Sequence, residues 1–287
     1  NYSTADKVYG VDGNITSYIK DNNGDGIVNG TDKVWIFFGL RRGGTSYYAL
    51  DISDPSAPNK LWHIDSSSTG FGELGQSWSQ PKLGYSKLNV TGTGESAAAA
   101  PVLFFGGGYD AAKDTKSPGA ADSNGRAIYM IDAFKGTLKW RLSPSGGSTT
   151  FPGTDSIPSS IGILDSDGDG FSDRLYVGDT GGNVWRVDMP SDDPDDTTDP
   201  WTVFKLAELG GTTNETDLRF FNEPSIVRTF ISEVIEAKVT DINGKTTTIV
   251  SHQEKPYDAV LIGSGDRSNP LGTDTNDTFF MIKDEHI

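Results

Sequence analysis

The sequence predicts an all-β protein of the β-propeller class, with about four recognisable blades that are part of a larger or modified propeller. Three observations carry this. A short apolar run closed by glycine, followed by a run ending in aspartate, recurs four times along the chain. The 35 glycines, 14 prolines and hydrophobic fraction of 34% in 287 residues point to many turns and short strands rather than helices. Two aspartate-rich loops fall at the same point of the repeat.

Residues 1–287 read as one propeller domain or propeller fragment, with blades at 14–65, 78–143, 159–209 and 224–284. In the first unit a lead-in strand over 14–20 enters an acidic loop. An apolar strand over 34–39, a turn through Arg41, Arg42, Gly43 and Gly44, a strand ending in Leu50-Asp51, and a strand with Trp62 complete it. The second unit repeats this order with 101–105, Gly106-Gly107-Gly108, Ile128 to Asp132, and Trp140; a polar insertion over 109–124 reads as a surface loop. The third runs from Ile161 through Leu175-Tyr176-Val177-Gly178 and Asn183 to Asp188, and 201–206 closes it after an acidic linker over 191–200. The fourth starts at 224–227, inserts a hairpin around Asp241-Ile242-Asn243-Gly244, resumes at 259–263 and ends in 279–284. Within each blade the strands alternate or run apolar, as expected where both faces pack against neighbouring blades. The recurrent Asp and Trp read as hydrogen-bonding and packing devices between blades.

The loop at 165–173 reads Asp-Ser-Asp-Gly-Asp-Gly-Phe-Ser-Asp. Its carboxylates stand at positions 1, 3, 5 and 9, and a glycine at 6 supplies the left-handed turn that lets alternate side chains aim at one centre. Asp165, Asp167, Asp169 and Asp173, with the backbone carbonyl of Phe171 at position 7, are the expected ligands of Ca2+. A solvated Asp/Gly turn is the plainer alternative. The loop at 21–32 has the same phasing, with Asp21, Asn23, Asp25, the Ile27 carbonyl and Asp32 as oxygen donors, and resembles the dockerin form of an EF-hand loop. Neither loop is flanked by a helix pattern, so each joins strand to strand.

A net charge of −16 argues against nucleic acid and anionic membrane as partners, both being polyanions. With no cysteine there is neither a disulfide framework nor a thiolate site. No apolar run approaches the ~20 residues of a membrane span, so no membrane insertion is expected. The chain opens at Asn1 in mid-pattern and is expected to be a piece of a longer secreted protein; calcium loops suit an extracellular setting. His63, His252 and His286 lack the spacing of a zinc motif, and no Gly-x-Ser-x-Gly elbow is present. Arg41 and Arg42 are expected to stack on a neighbouring blade rather than build a basic-aromatic patch with Tyr47 and Tyr48.

Phe38 to Asp51 and Leu164 to Asp188 resemble the C-terminal β-propeller of the PilC/PilY family of type IV pilus tip proteins, in which an Asp-rich loop precedes a Leu-Tyr-Val-Gly-Asp-x-Gly-Gly-Asn-Val-Trp-Arg-Val-Asp-type strand pair. That resemblance implies a non-enzymatic, calcium-binding protein of the bacterial cell surface and pilus tip, associated with the outer membrane. It would support pilus biogenesis, twitching motility and adhesion to a surface or host cell, with minor pilins as partners. It places Asp165, Asp167, Asp169, Phe171 and Asp173 at the family's calcium positions, while the 21–32 loop rests on loop chemistry. Only about four blades are visible where the family propeller is larger, and no Arg-Gly-Asp tripeptide occurs.

Two other classes share the architecture. Ile131 to Trp140 also resembles the tryptophan-docking motif of quinoprotein dehydrogenases, which would imply a pyrroloquinoline quinone beside calcium; the vicinal cysteines many such enzymes carry are missing. A carbohydrate-binding or scaffolding propeller would be marked by exposed aromatics on one rim.

Overall fold

The computed structural model describes residues 9–92 and 98–286, and its regular structure there is strand with short 3-10 turns. Four sheets follow one another along the chain. The first holds β1 (Ile15–Lys20), β2 (Lys33–Gly39), β3 (Tyr47–Asp51) and β4 (Asn59–Ile64). β5 (Lys82–Thr91), β6 (Ala98–Gly106), β7 (Ile128–Asp132), β8 (Leu138–Ser143) and the two-residue β9 (Thr149–Thr150) make the second. The third is β10 (Gly162–Leu164), β11 (Arg174–Gly178), β12 (Asn183–Asp188) and β13 (Thr202–Glu208). In the fourth, β14 (Ser225–Thr240), β15 (Thr246–Gly263) and β16 (Phe279–Asp284) lie side by side. Each is an antiparallel meander in chain order, apart from the parallel pairing of β9 on β8. A meander returns to the same end after every second strand. The links after first and third strands therefore share one rim of a sheet, and the remaining links share the other.

What holds the sheets together is visible in β7. Ile128 and Met130 pack with Leu175, Val177 and Trp185 of the third sheet, whereas Tyr129 and Ile131 pack with Phe37, Tyr47 and Trp62 of the first. The period-2 geometry of a strand sends neighbours to opposite faces, and here both faces meet another sheet. That is why Ile-Tyr-Met-Ile-Asp shows no polar alternation and every residue is buried. The third and fourth sheets meet through Tyr176, Val184, Phe220, Val260 and Ile262.

Polar devices register these seams. The Trp62 indole donates to the Ala133 carbonyl at 2.8 Å, and the Trp140 and Trp201 rings stand 5.3 Å apart. Asp284, buried at the end of β16, accepts from the Tyr176 hydroxyl at 2.9 Å and the Arg186 guanidinium at 2.6 Å. Asp132 accepts the Phe134 and Lys135 N–H groups at 2.9 Å, forming the tight turn into β8. The recurrent aspartate thus registers a seam in one blade and closes a turn in another. Gly136 lies at the foot of that turn with φ 67°, and a Cβ there would press into the Trp62 ring.

Between β11 and β12, Asp179 is fully buried and accepts hydrogen bonds from the Gly181 and Asn183 backbone, the Asn183 amide and the Trp185 indole. Burial pushes its carboxyl up to about 6, with the charge of Asp155 adding to the rise against those donors.

β14 and β15 run on past the seam as a two-stranded ribbon, pairing in register out to Thr240↔Thr246. Val234 and Ile235 are 57% and 46% exposed, and Ile242 at the tip is 99% exposed, so the ribbon contributes no core.

Two outcomes follow. Trp140→Ala, which empties a seam between blades, is expected to cost about 3–5 kcal/mol in urea denaturation, whereas Ile242→Ser leaves the midpoint unchanged. Because the folded Asp179 holds its proton up to about 6 and the free group only to 3.8, its contribution to stability is full below about pH 4 and is lost as pH rises through 6. Carboxyl-carbon NMR should place its titration near pH 6; a midpoint below 4 would remove this source of pH dependence.

Candidate metal centres

Both acidic loops close antiparallel hairpins on the same side of their sheets. Lys20 pairs with Lys33, so 21–32 is a twelve-residue loop between β1 and β2. Leu164 pairs with Arg174, so 165–173 is a nine-residue loop between β10 and β11. The carboxylate at position 1 organises each. Asp21 accepts N–H groups from Gly24 at 2.6 Å and Gly26 at 2.8 Å, and Asp165 accepts those of Gly168 at 2.7 Å and Gly170 at 2.9 Å. At position 5, Asp25 takes the Ile27 N–H at 2.8 Å and Asp169 that of Phe171 at 2.8 Å. The position-6 glycines, Gly26 and Gly170, have φ 74° and 88°.

In the first loop, carboxylate oxygens of Asp21, Asp25 and Asp32 come within 4.8 Å of one another. Asn23 and Asn29 amides donate to Asp25 at 3.0 and 2.9 Å. In the second, the group is Asp165, Asp167 and Asp169, again within 4.8 Å. Asp173 is not in that group; it accepts from the Ser166 N–H at 2.7 Å and hydroxyl at 2.8 Å. Asp32 makes the same bond to the Asn22 N–H at 2.8 Å. The last carboxylate of each loop therefore ties down the residue at position 2, at position 12 in the longer loop and at position 9 in the shorter. Ile27 is 65% exposed, and Phe171 is half-buried with its ring beside the Lys87 ammonium.

The N–H groups aimed at these carboxylates favour their ionised form. The Gly26 N–H holds the Asp21 carboxyl below its ordinary value, the Ile27 N–H does so for Asp25, and the Phe171 N–H, then Lys87, for Asp169. The gathered oxygens are all hard donors on a turn that tolerates left-handed glycine. That set fits Ca2+ and offers nothing to a thiophilic or imidazole-seeking metal. Asp21, Asp25 and Asp32 would hold an ion in the first loop; Asp165, Asp167 and Asp169 in the second.

The opposite rim carries a different chemistry. Arg41 lies over the Trp78 ring at 4.5 Å and Arg42 at 5.6 Å, so the arginines stack on Trp78 rather than pairing with Tyr47 and Tyr48. Arg42 also donates to the carbonyls of Arg267 and Ser268, joining a first-sheet turn to a fourth-sheet loop. Nearby is an open cavity of about 700 Å³ lined by Asp114, Lys116, Arg219, Asp266, Arg267 and Asp277. Arg219 is clamped there between Asp217 at 2.7 Å and Asp266 at 2.9 Å.

Sequence reasoning missed Lys87, whose ammonium lies 3.0 Å from Asp169. No local pattern marks it, because β5 and the loop are far apart in sequence and meet only where two sheets come together. Asn23, read in the sequence as an oxygen donor, and Asn29 both turn their amide N–H groups to Asp25.

These features define a β-propeller with acidic loops on one rim. Residues 1–211 match the family model described as PilY1 beta-propeller domain, and the chain belongs to that family. The type IV pilus biogenesis factor PilY1 of Pseudomonas aeruginosa (strain UCBPP-PA14) is 31% identical over 163 residues, which are 55% of this chain and 12% of that protein. The PilY1 homolog of Xylella fastidiosa (strain Temecula1) is 27% identical over 185 residues, 61% of this chain and 11% of the relative. The crystal structure of the P. aeruginosa PilY1 C-terminal domain superposes with a TM-score of 0.58 at 21% identity, covering 96% of this chain and 49% of that one, a likeness of fold. The chain thus spans about half of the solved domain and a small part of the curated relatives. Among the described residues no helix is long and apolar enough to cross a membrane.

A Cβ on Gly170 would meet nothing within 4 Å, so the cost of Gly170→Ala lies wholly in its left-handed backbone at φ 88°. That cost is about 1 kcal/mol; if the loop holds calcium, calorimetry should show its affinity falling about fivefold with the melting temperature of the blades unmoved. An unchanged affinity would mean that the turn conformation does not organise the donors.

Proposed function

We propose that this chain is the propeller portion of a type IV pilus biogenesis factor, acting at the bacterial surface or pilus tip as a calcium-binding, non-enzymatic element. The observation that carries it is the family match over 1–211, a span that contains both acidic loops. Relatives named as type IV pilus biogenesis factors support the pilus assignment. Partners would be pilins of the pilus, and the outcomes served would be pilus extension, twitching and attachment to surfaces or host cells.

The non-enzymatic reading is supported by what the residues of the tryptophan-docking motif do. Asp132 closes the turn into β8 and Trp140 packs in the seam beside Trp201, so neither is free to hold a quinone. Calcium binding is supported by the two acidic groups and by the shared backbone cradle that orients them. None of the gathered carboxylates belongs to an apolar seam, so the ion would order a rim without building the core. Mass action gives only about 1.4 kcal/mol at tenfold saturation, enough for a loop and small against a seam.

Calorimetric calcium titration is expected to show two sites, reduced to one by Asp169→Ala and to the other by Asp21→Ala. Chelation should raise protease cleavage in 21–32 and 165–173 while the blades stay intact, and twitching by a strain carrying Asp169→Ala should fall. Absence of calcium binding, or quinone absorbance in the purified protein, would sink the reading.

A further inference from the structure

The two loops share their left-handed glycine turn and their position-1 and position-5 aspartates but differ in what already occupies the outer oxygen of the position-5 carboxylate. In both, Oδ1 is taken by the N–H of position 7. Oδ2 of Asp25 is held by two neutral amides, from Asn23 at 3.0 Å and Asn29 at 2.9 Å. Oδ2 of Asp169 is held by the Lys87 ammonium at 3.0 Å, and among the described residues no ion pair reaches Asp21, Asp25 or Asp32. An asparagine amide that gives up its donor bond can turn to offer its oxygen to a cation. An ammonium has no oxygen to offer and repels the incoming charge, so it must leave.

Lys87 is placed for this by the second sheet. It lies where β5 falls out of register with β6, between Tyr85 and Val90, and the strand there turns Ser86 and Asn89 inward. Asn89 fixes that bulge by donating to the Ala100 and Pro101 carbonyls at 3.1 and 3.3 Å. The Tyr85 carbonyl accepts the Ser172 N–H at 2.9 Å, which binds the loop to the same strand. The Lys87 ammonium then stands 5.7 Å from the centre of the Phe171 ring and 3.0 Å from Asp169.

We propose that Lys87 is a built-in counter-cation of the 165–173 loop, which calcium must displace from Asp169, so that this loop binds calcium more weakly than its donors alone would allow. The inference rests on the calcium reading above and deepens it. Entry of the ion exchanges a charged tie between the second and third blades for a metal held within the third, while the Ser172–Tyr85 backbone bond still holds the loop to β5 and the apolar seam between the two sheets is untouched. The 21–32 loop carries no such coupling, so the two loops differ in affinity and in what their filling does to a seam.

The test is calcium calorimetry in an Asp21→Ala background, where only the 165–173 loop reports. Lys87→Met keeps the bulk of the side chain and removes its charge; it is expected to tighten binding about fivefold, the effect of one unit charge a few ångströms away in a wet site. Lys87→Arg keeps the charge and should bind as the parent does. Equal or weaker binding by Lys87→Met, with the parent still losing its site to Asp169→Ala, overturns the counter-cation while calcium binding stands. A parent that binds no calcium at this loop overturns both.

Discussion

The constraint on which the molecule depends is that the second and third sheets bury both of their faces. β7 is the plainest case: alternate side chains enter two different seams, one shared with the first sheet and one with the third. Once both faces are committed to packing, a blade has only its two rims and its outer edge for anything else. Each seam is finished by polar groups that make sense only across it, such as the Trp62 indole on the Ala133 carbonyl. Asp258 shows how costly a charge is to place there: it is fully buried and accepts from Arg174 at 3.3 Å and Arg228 at 2.9 Å, which reach it from two sheets.

The two rims have divided the chemistry. One carries hairpin loops that are exposed, acidic and organised from within by their own backbone, since Asp21 and Asp165 are satisfied by N–H groups a few residues on. The other carries links that converge and are organised by each other: Trp78, Tyr109 and Phe221, from three different connections, form an aromatic cluster, and Arg42 crosses to the fourth-sheet loop. Of the acidic loops, 21–32 is bonded within itself, whereas Asp169 and Ser172 of the 165–173 loop also reach β5 of the neighbouring blade. A link on the other rim is held by contacts from several blades and is correspondingly fixed.

How much of this the sequence revealed follows from the range of each interaction. The repeat, the glycine-closed strands and the acidic phasing are local, and β12 lies where its residues placed it, from Asn183 to Asp188. The insertion in the fourth unit read as a hairpin around Asn243-Gly244; its length did not, because an exposed ribbon of Val, Ile, Thr and charged residues has the composition of a buried strand beside polar loops. β5 was legible only as a lead-in, its bulge at Tyr85 to Val90 being set by buried Ser86 and Asn89. The equivalence of Asp173 and Asp32 was hidden by loop length: position 9 and position 12 do one task because each is the last residue before the hairpin closes. Lys87 had no local signal at all, since its partner belongs to another sheet.

That last contact changes how the two loops compare. At positions 1, 3 and 5 the 165–173 loop carries three aspartates where 21–32 has two aspartates and an asparagine, and the shorter loop makes up its group of three without its last carboxylate. Judged with surroundings, its charge is already partly met by an ammonium from the neighbouring blade. In a chain of net charge −16, a lysine placed against a loop of closely spaced carboxylates lessens their mutual repulsion. The same lysine couples the loop to a seam. On the calcium reading proposed above, the first loop, with only neutral amides on the outer oxygen of Asp25, would take an ion without displacing a charge. The second would take one in competition with the Lys87–Asp169 contact between blades, and only such a site would convert the filling of a rim loop into a change at a seam.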